Sequence, residues 1–190
     1  MTAAKPSAAA MNPSQNLYLI GPMGAGKSCI GRRLAEHFAL PFVDLDHELE
    51  QRVGVSINLV FELEGESGFR LRESQLLEEQ CQRQGLVLAT GGGAVLSPHN
   101  RELLSGNGFV LYLPASVDVQ LQRLSRDSRR PLLANPNRRQ RLTDMAGLRN
   151  PLYESIADLT LEPEQGSVRR AAERAVHALH THWQRLLADA

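Results

Sequence analysis

Leu17-Tyr18-Leu19-Ile20-Gly21-Pro22-Met23-Gly24-Ala25-Gly26-Lys27-Ser28 runs from an apolar strand pattern, through a glycine-rich turn, into an amphipathic helix. The last eight residues fit G-x-x-x-x-G-K-[ST], and the flanks supply the strand-then-helix context that a phosphate-binding P-loop needs. Glycines let the main chain wrap close to phosphate oxygens, while successive N–H groups and the helix N-terminus supply positive potential. Lys27 adds a full charge and Ser28 offers a hydroxyl to Mg²⁺. A turn that merely joined strand to helix would require glycine but not Lys followed by Ser.

Working outward, short apolar runs alternate with longer helical patterns, which predicts β-α units around a parallel sheet. Strands are expected at Leu17–Ile20, Phe42–Asp44, Leu86–Ala89, Phe109–Leu113 and Leu159–Leu161. Helices are expected at Lys27–Phe38, Asp46–Arg52, Glu66–Cys81, Pro98–Leu104, Val117–Leu124, Gln140–Leu148 and Ser167–Leu187. Right-handed crossovers then cover both faces of the sheet, and ligands belong beyond the carboxyl ends of its strands. Residues 1–14, small, polar and proline-interrupted, read as a disordered extension; residues 15–190 read as a single domain.

Composition narrows the function classes. Leu, Ile, Val and Phe make up 50 of 190 residues, enough for a packed core. Twenty-one basic and 21 acidic side chains cancel, so the molecule as a whole has no electrostatic pull toward nucleic acid or an anionic membrane. No apolar run reaches the ~20 residues of a membrane span and no secretory signal is evident, so a cytoplasmic protein is expected. Cys29 and Cys81 are too few for a disulfide framework. Nineteen of the 21 cations are arginine, and Lys27 is the one lysine outside the tail.

Three further patterns carry chemistry. Asp44-Leu45-Asp46 closes the second strand; alternation along an extended segment would send both carboxylates toward the phosphate site, one for metal and one for a substrate hydroxyl. The pair fits equally well a helix N-cap at Asp46 beside a solvated Asp44. Leu86–Ala89 runs through Thr90 into Gly91-Gly92-Gly93, whose bare N–H groups suit close approach of a second substrate. Residues 123–141 hold seven arginines against the single acid Asp127, an anion-attracting segment with no aromatic residue to stack nucleic acid bases. Arg70 and Arg149 stand apart, with forks that suit a planar carboxylate, although each taken alone also fits a surface position.

In ordered combination these residues resemble the shikimate kinase family over nearly the whole chain after the tail. The resemblance rests on the P-loop at 21–28, Asp-Leu-Asp at 44–46, and Ile57 with Phe61, Gly65, Glu66, Phe69, Arg70 and Glu73. It continues through Thr90–Gly93, Arg130-Pro131-Leu132-Leu133, and Arg149 with Pro151-Leu152-Tyr153. It implies a three-layer αβα P-loop fold with a five-stranded parallel sheet of order 2-3-1-4-5, a substrate-binding subdomain near 45–75 and a lid near 123–137. It also implies a cytoplasmic monomer that transfers the γ-phosphate of ATP to the 3-hydroxyl of shikimate with Mg²⁺, in the route to aromatic amino acids.

Residue by residue, the resemblance gives Gly24, Ala25, Gly26, Lys27, Ser28 and Cys29 to ATP, with Lys27 and Arg130 on the transferring phosphoryl. Ser28 and Asp44 hold the metal, and Asp46 binds acceptor hydroxyls and is the candidate base. Arg70, Gly91, Gly92, Gly93 and Arg149 hold the acceptor, and Glu73 orients Arg70. Arg123 and Gly166 flank the adenine. Cys29 departs from the threonine common there, and its place near Lys27 and a helix N-terminus could activate the thiol, although a buried, inert cysteine fits as well. Two competing readings are a kinase for another polyol acid such as gluconate, and a nucleotide-dependent RNA-binding protein built on the arginine segment.

Overall fold

A computed structural model describes residues 14–124, 137–163 and 167–184. In chain order the elements are β1 (Leu17–Ile20), α1 (Lys27–His37), β2 (Phe42–Asp44), α2 (Leu45–Val53), α3 (Ile57–Cys81) and β3 (Val87–Ala89). A short 3₁₀ turn (Ala94–Leu96), α4 (Pro98–Asn107), β4 (Phe109–Tyr112), α5 (Val117–Leu124), α6 (Arg138–Ile156), β5 (Leu159–Thr160) and α7 (Val168–His182) complete the fold. The strands form one parallel sheet in the order β2-β3-β1-β4-β5. This is the expected three-layer αβα architecture.

Alternation along the central strands divides the core in two. Leu17, Leu19, Val87, Phe109 and Leu111 face α1 and α7, whereas Tyr18, Ile20, Leu88, Val110 and Tyr112 face the layer containing α2, α3, α4 and α6. All four residues of β1 are fully buried, and burying each such large side chain contributes about 1.5–3 kcal/mol before entropy is counted. The central strand is thereby fixed, and with it the loop that leaves its carboxyl end. Among the described residues no helix is long and apolar enough to cross a membrane.

Two elements run furthest beyond the sequence pattern. The helix expected from Glu66 begins there, directly after a break in helical geometry at Gly65 (φ 70°), and a further helical segment precedes the break from Ile57, where Ser56 caps it by accepting from Leu59 N–H (3.3 Å). The glycine break and the exposed Leu59 and Leu63 blur the periodicity that would have marked the first half. The helix expected to stop at Leu148 continues to Ile156 with Pro151 inside it. Buried Tyr153 and Ile156 hold the segment beyond the proline, so packing outweighs the lost N–H.

The P-loop leaves β1 against the backbone that follows β4. Gly21 has φ 141°, and a Cβ there would lie 2.3 Å from the Leu113 carbonyl oxygen. Neither the φ nor the backbone neighbour can relax cheaply. Gly21→Ala is expected to lower the unfolding free energy by roughly 2–5 kcal/mol. Urea unfolding of the variant checks this, and a wild-type midpoint would overturn it.

Candidate active site

Gly24 and Gly26 take φ of 77° and 98°, a left-handed geometry that glycine adopts without strain. Gly26 caps α1 with no side chain, so the first N–H groups of the helix are presented to an anion. Lys27 is nearly buried and folds back on the loop, donating from Nζ to the Gly21 carbonyl at 2.7 Å and to the Pro22 carbonyl at 2.9 Å. Arg123, in the last turn of α5, donates from Nη1 to the carbonyls of Gly24 (2.8 Å) and Ala25 (3.2 Å). Two cations thus brace successive parts of the loop. Cys29 is exposed, not buried.

Beside the loop is a pocket of about 80 Å³ whose wall includes Gly26, Ile30, Pro114, Arg123, Val168 and Arg174. Its partly apolar lining and its position at the start of α1 and α7 suit a nucleobase. Pro163 and Ser167 also border it, whereas Gly166 lies outside the described residues, as do Arg130 and most of the expected lid.

A larger cavity of about 380 Å³ opens on the other side. Ser28, Asp44, Asp46, Arg70, Glu73, Gly91, Gly92, Gly93 and Arg149 all line it. Residues from five elements and one loop thus meet around one volume the size of a small metabolite. Met23, Arg32, His47, Glu50 and Asn58 also line the wall. Met23 stands at an unspecified position of the P-loop motif and the other four belong to no motif; only the fold brings them to the acceptor site.

Asp44 and Asp46 reach the cavity by a route other than strand alternation. β2 ends at Asp44, which caps α2 by accepting from His47 N–H at Oδ1 (3.3 Å), and Asp46 stands in the first helical turn. The cap is Asp44 rather than Asp46. A strand that ends in a helix start turns both carboxylates to the same cavity, and the helix dipole favours their negative charge.

Arg70 projects from α3 and is held from two sides. Its Nη1 donates to Glu73 Oε2 at 2.6 Å, its Nη2 to Glu66 Oε1 at 3.2 Å, and the guanidinium lies over the Phe69 ring. Burial works against its charge, but Glu73 and Glu66 together overcome this and hold the group above its ordinary value. Glu73 is buried, which pushes its carboxyl upward against the opposing pull of Arg70. Its Oε1 and Asp46 Oδ1 lie 2.5 and 2.8 Å from where a Cβ on Gly91 would stand, so glycine is what lets the two carboxylates close on the backbone. Gly93 makes the same room for Arg70, whose guanidinium carbon would be 2.5 Å from a Cβ.

Arg149 comes from α6 and is mostly buried; its Nη1 approaches the Gly92 carbonyl at 3.4 Å, while its Nε has no hydrogen-bond partner among the described residues. Glu73 Oε1 is orphaned in the same way. Each such buried group costs about 1–3 kcal/mol, a sacrifice of stability typical of a site organised for a ligand rather than for folding. Tyr153, one turn beyond Arg149, donates its hydroxyl to the Gly92 carbonyl. The sequence reading gave Tyr153 no role, because it ended the helix before Pro151; the i, i+4 spacing from Arg149 was the available signal.

The arrangement joins an anion-binding loop to a polar cavity lined by three guanidinium groups, four carboxylates and three consecutive glycines. That suits transfer of a phosphoryl group to a small hydroxy acid. Comparison with known proteins agrees. The family model for shikimate kinase matches residues 23–180. The shikimate kinase of Stenotrophomonas maltophilia strain K279a is 51% identical over 175 residues, covering 92% of this chain and 97% of that protein. That of Thioalkalivibrio sulfidiphilus is 54% identical over 163 residues, 86% of each chain. The structure of shikimate kinase from Acinetobacter baumannii in complex with shikimate superposes with a TM-score of 0.85 at 48% identity, covering 87% of this chain and 93% of the other. With its P-loop, sheet order and acceptor cavity in place, this chain belongs to the shikimate kinase family.

Proposed function

We propose that this chain transfers the γ-phosphoryl group of ATP to the 3-hydroxyl of shikimate, giving shikimate 3-phosphate and ADP in the route to aromatic amino acids. The observation that carries the reading is the single cavity in which Asp46, Arg70, Arg149 and Gly91–Gly93 meet Ser28 of the P-loop. Arg70 and Arg149 pair with the acceptor carboxylate, which a guanidinium fork grips with two parallel hydrogen bonds. Glu73 holds Arg70 in place for that contact. Asp46 and the glycine N–H groups orient the ring hydroxyls, and Asp46 accepts the proton of the attacking one.

On the nucleotide side the main chain and side chains of Gly24 to Cys29 cradle the phosphates, and Lys27 leaves the Gly21 and Pro22 carbonyls to meet the transferring group. Arg123 and the segment containing Gly166 flank the base, and Arg130 reaches the phosphates from a lid near 123–137. The part near 45–75 serves as the acceptor-binding subdomain. Mg²⁺ fits the residues present: the Ser28 hydroxyl and the Asp44 carboxylate are hard oxygen donors lining the same cavity, and this cation takes few protein ligands beside substrate phosphates and water. When bound it neutralises phosphate charge. We also infer a cytoplasmic monomer, on the family resemblance, without nucleic-acid or membrane partners, which the balanced net charge supports.

A coupled assay of ADP formation tests the reading. ADP release is expected to depend on shikimate and to stay at background with gluconate, whose open chain lacks the ring that fixes carboxylate and hydroxyls relative to one another. Turnover with gluconate alone, or tight RNA binding without acceptor-dependent turnover, would overturn it.

A further inference from the structure

Three parts of the site meet at Gly92. Its Cα lies against the P-loop, where a Cβ would be 3.2 Å from the Met23 nitrogen and 3.6 Å from the Gly21 carbonyl oxygen. Its neighbours Gly91 and Gly93 abut Asp46, Glu73 and Arg70 on the acceptor side. Its carbonyl accepts from α6, at 2.5 Å from the Tyr153 hydroxyl and at a longer 3.4 Å from Arg149 Nη1.

The two donors differ in what else they do. Arg149 lines the acceptor cavity, so an anionic ligand competes with Gly92 for its guanidinium. Tyr153 does not line that cavity; it is fully buried, and its ring stacks on Tyr112 at the end of β4, with centroids 5.1 Å apart and planes 24° from parallel. A side chain fixed by a stack has little rotamer freedom left to lose, so its hydroxyl is a pre-set donor. Burial also holds the phenol above its ordinary pKa. It therefore remains a neutral donor throughout the range in which a kinase is assayed.

We propose that Tyr153 is a positioning residue for the phosphoryl acceptor: by donating to the Gly92 carbonyl, it fixes the three-glycine segment against the P-loop, at the spacing where acceptor hydroxyl and transferring phosphoryl meet. The proposal rests on the kinase reading above. Among the described residues, removing the hydroxyl leaves the Gly92 carbonyl with only the longer contact from Arg149, which the acceptor carboxylate draws away. Misplacement of a substrate cradle by a fraction of an ångström is costly because phosphoryl transfer depends on alignment more than on covalent assistance.

The test pairs Tyr153→Phe with Tyr112→Phe, which takes a hydroxyl from the same stack but none from Gly92. Both keep their rings and packing. Tyr153→Phe is expected to lower kcat/KM for shikimate about 10- to 100-fold, while ADP affinity stays within about twofold and the pH profile of kcat keeps its shape. Tyr112→Phe is expected to match wild type. In the enzyme without substrates, amide hydrogen exchange at Gly91–Gly93 is expected to quicken in Tyr153→Phe alone, a readout independent of the acceptor's identity. Wild-type kcat/KM in Tyr153→Phe, an equal loss in Tyr112→Phe, or unchanged glycine exchange would overturn the proposal. A wild-type enzyme inactive on shikimate whose glycine exchange still responds to Tyr153→Phe would instead refute the assigned reaction and leave the backbone role standing.

Discussion

Asp46→Asn is expected to lower kcat for shikimate phosphorylation by about 10²- to 10⁴-fold, the range lost when a positioned proton acceptor is removed. The carboxylate stands in the first turn of α2 and faces the acceptor cavity beside Glu73. An amide keeps the shape and can still hydrogen-bond a hydroxyl, but it cannot take its proton. Loss of the favourable helix-dipole contact costs about 0.3–1 kcal/mol, so the variant stays folded. Asp46 lies outside the P-loop, so nucleotide affinity is expected to hold. Steady-state kinetics with calorimetric ADP binding checks both halves; a variant retaining a large share of wild-type turnover would remove Asp46 from the proton-accepting role.

Lys27→Met should be the other severe variant, with a different signature. Removing one preorganised charge from a site of developing negative charge costs about 10²- to 10³-fold in kcat. Met preserves much of the buried stem, yet Gly21 and Pro22 lose the donor that reaches both carbonyls at 2.7 and 2.9 Å. Leaving such groups unpaired costs about 1–3 kcal/mol. The variant is therefore expected to lose thermal stability and nucleotide affinity together with turnover, whereas Asp46→Asn loses turnover alone. Parallel melting curves and ADP titrations separate the two. Wild-type stability in Lys27→Met would show that the contacts to Gly21 and Pro22 contribute nothing to the resting loop.

The contrast reflects how each residue is placed. Lys27 belongs to a loop whose conformation follows from its own glycines, and the motif alone announced it. Asp46 was also legible, but for a reason the structure replaces: strand alternation was expected to align it with Asp44, and the end of β2 followed at once by α2 does so instead. Short segments between a strand and a helix are ambiguous in sequence because two or three residues do not establish a period. Arg70 and Glu73 were legible as a pair because residues three apart on one helix share a face. The first half of α3 and the end of α6 were not, since Gly65 does break the helix and hides the short segment before it, while Pro151 is a local stop signal that the surrounding packing overrides.

By itself the sequence determined the alternating strands and helices, the phosphate loop and the residue types at the acceptor site, because these depend on contacts within a few residues of each other. Tertiary structure alone decided what those residues face. Gly92 touching Met23, Arg149 and Tyr153 spans three separate parts of the chain, and Asp46 meets Glu73 across the turn between two helices. Such contacts exist only after the sheet has paid the entropy of closing its long crossovers, and no local pattern encodes them.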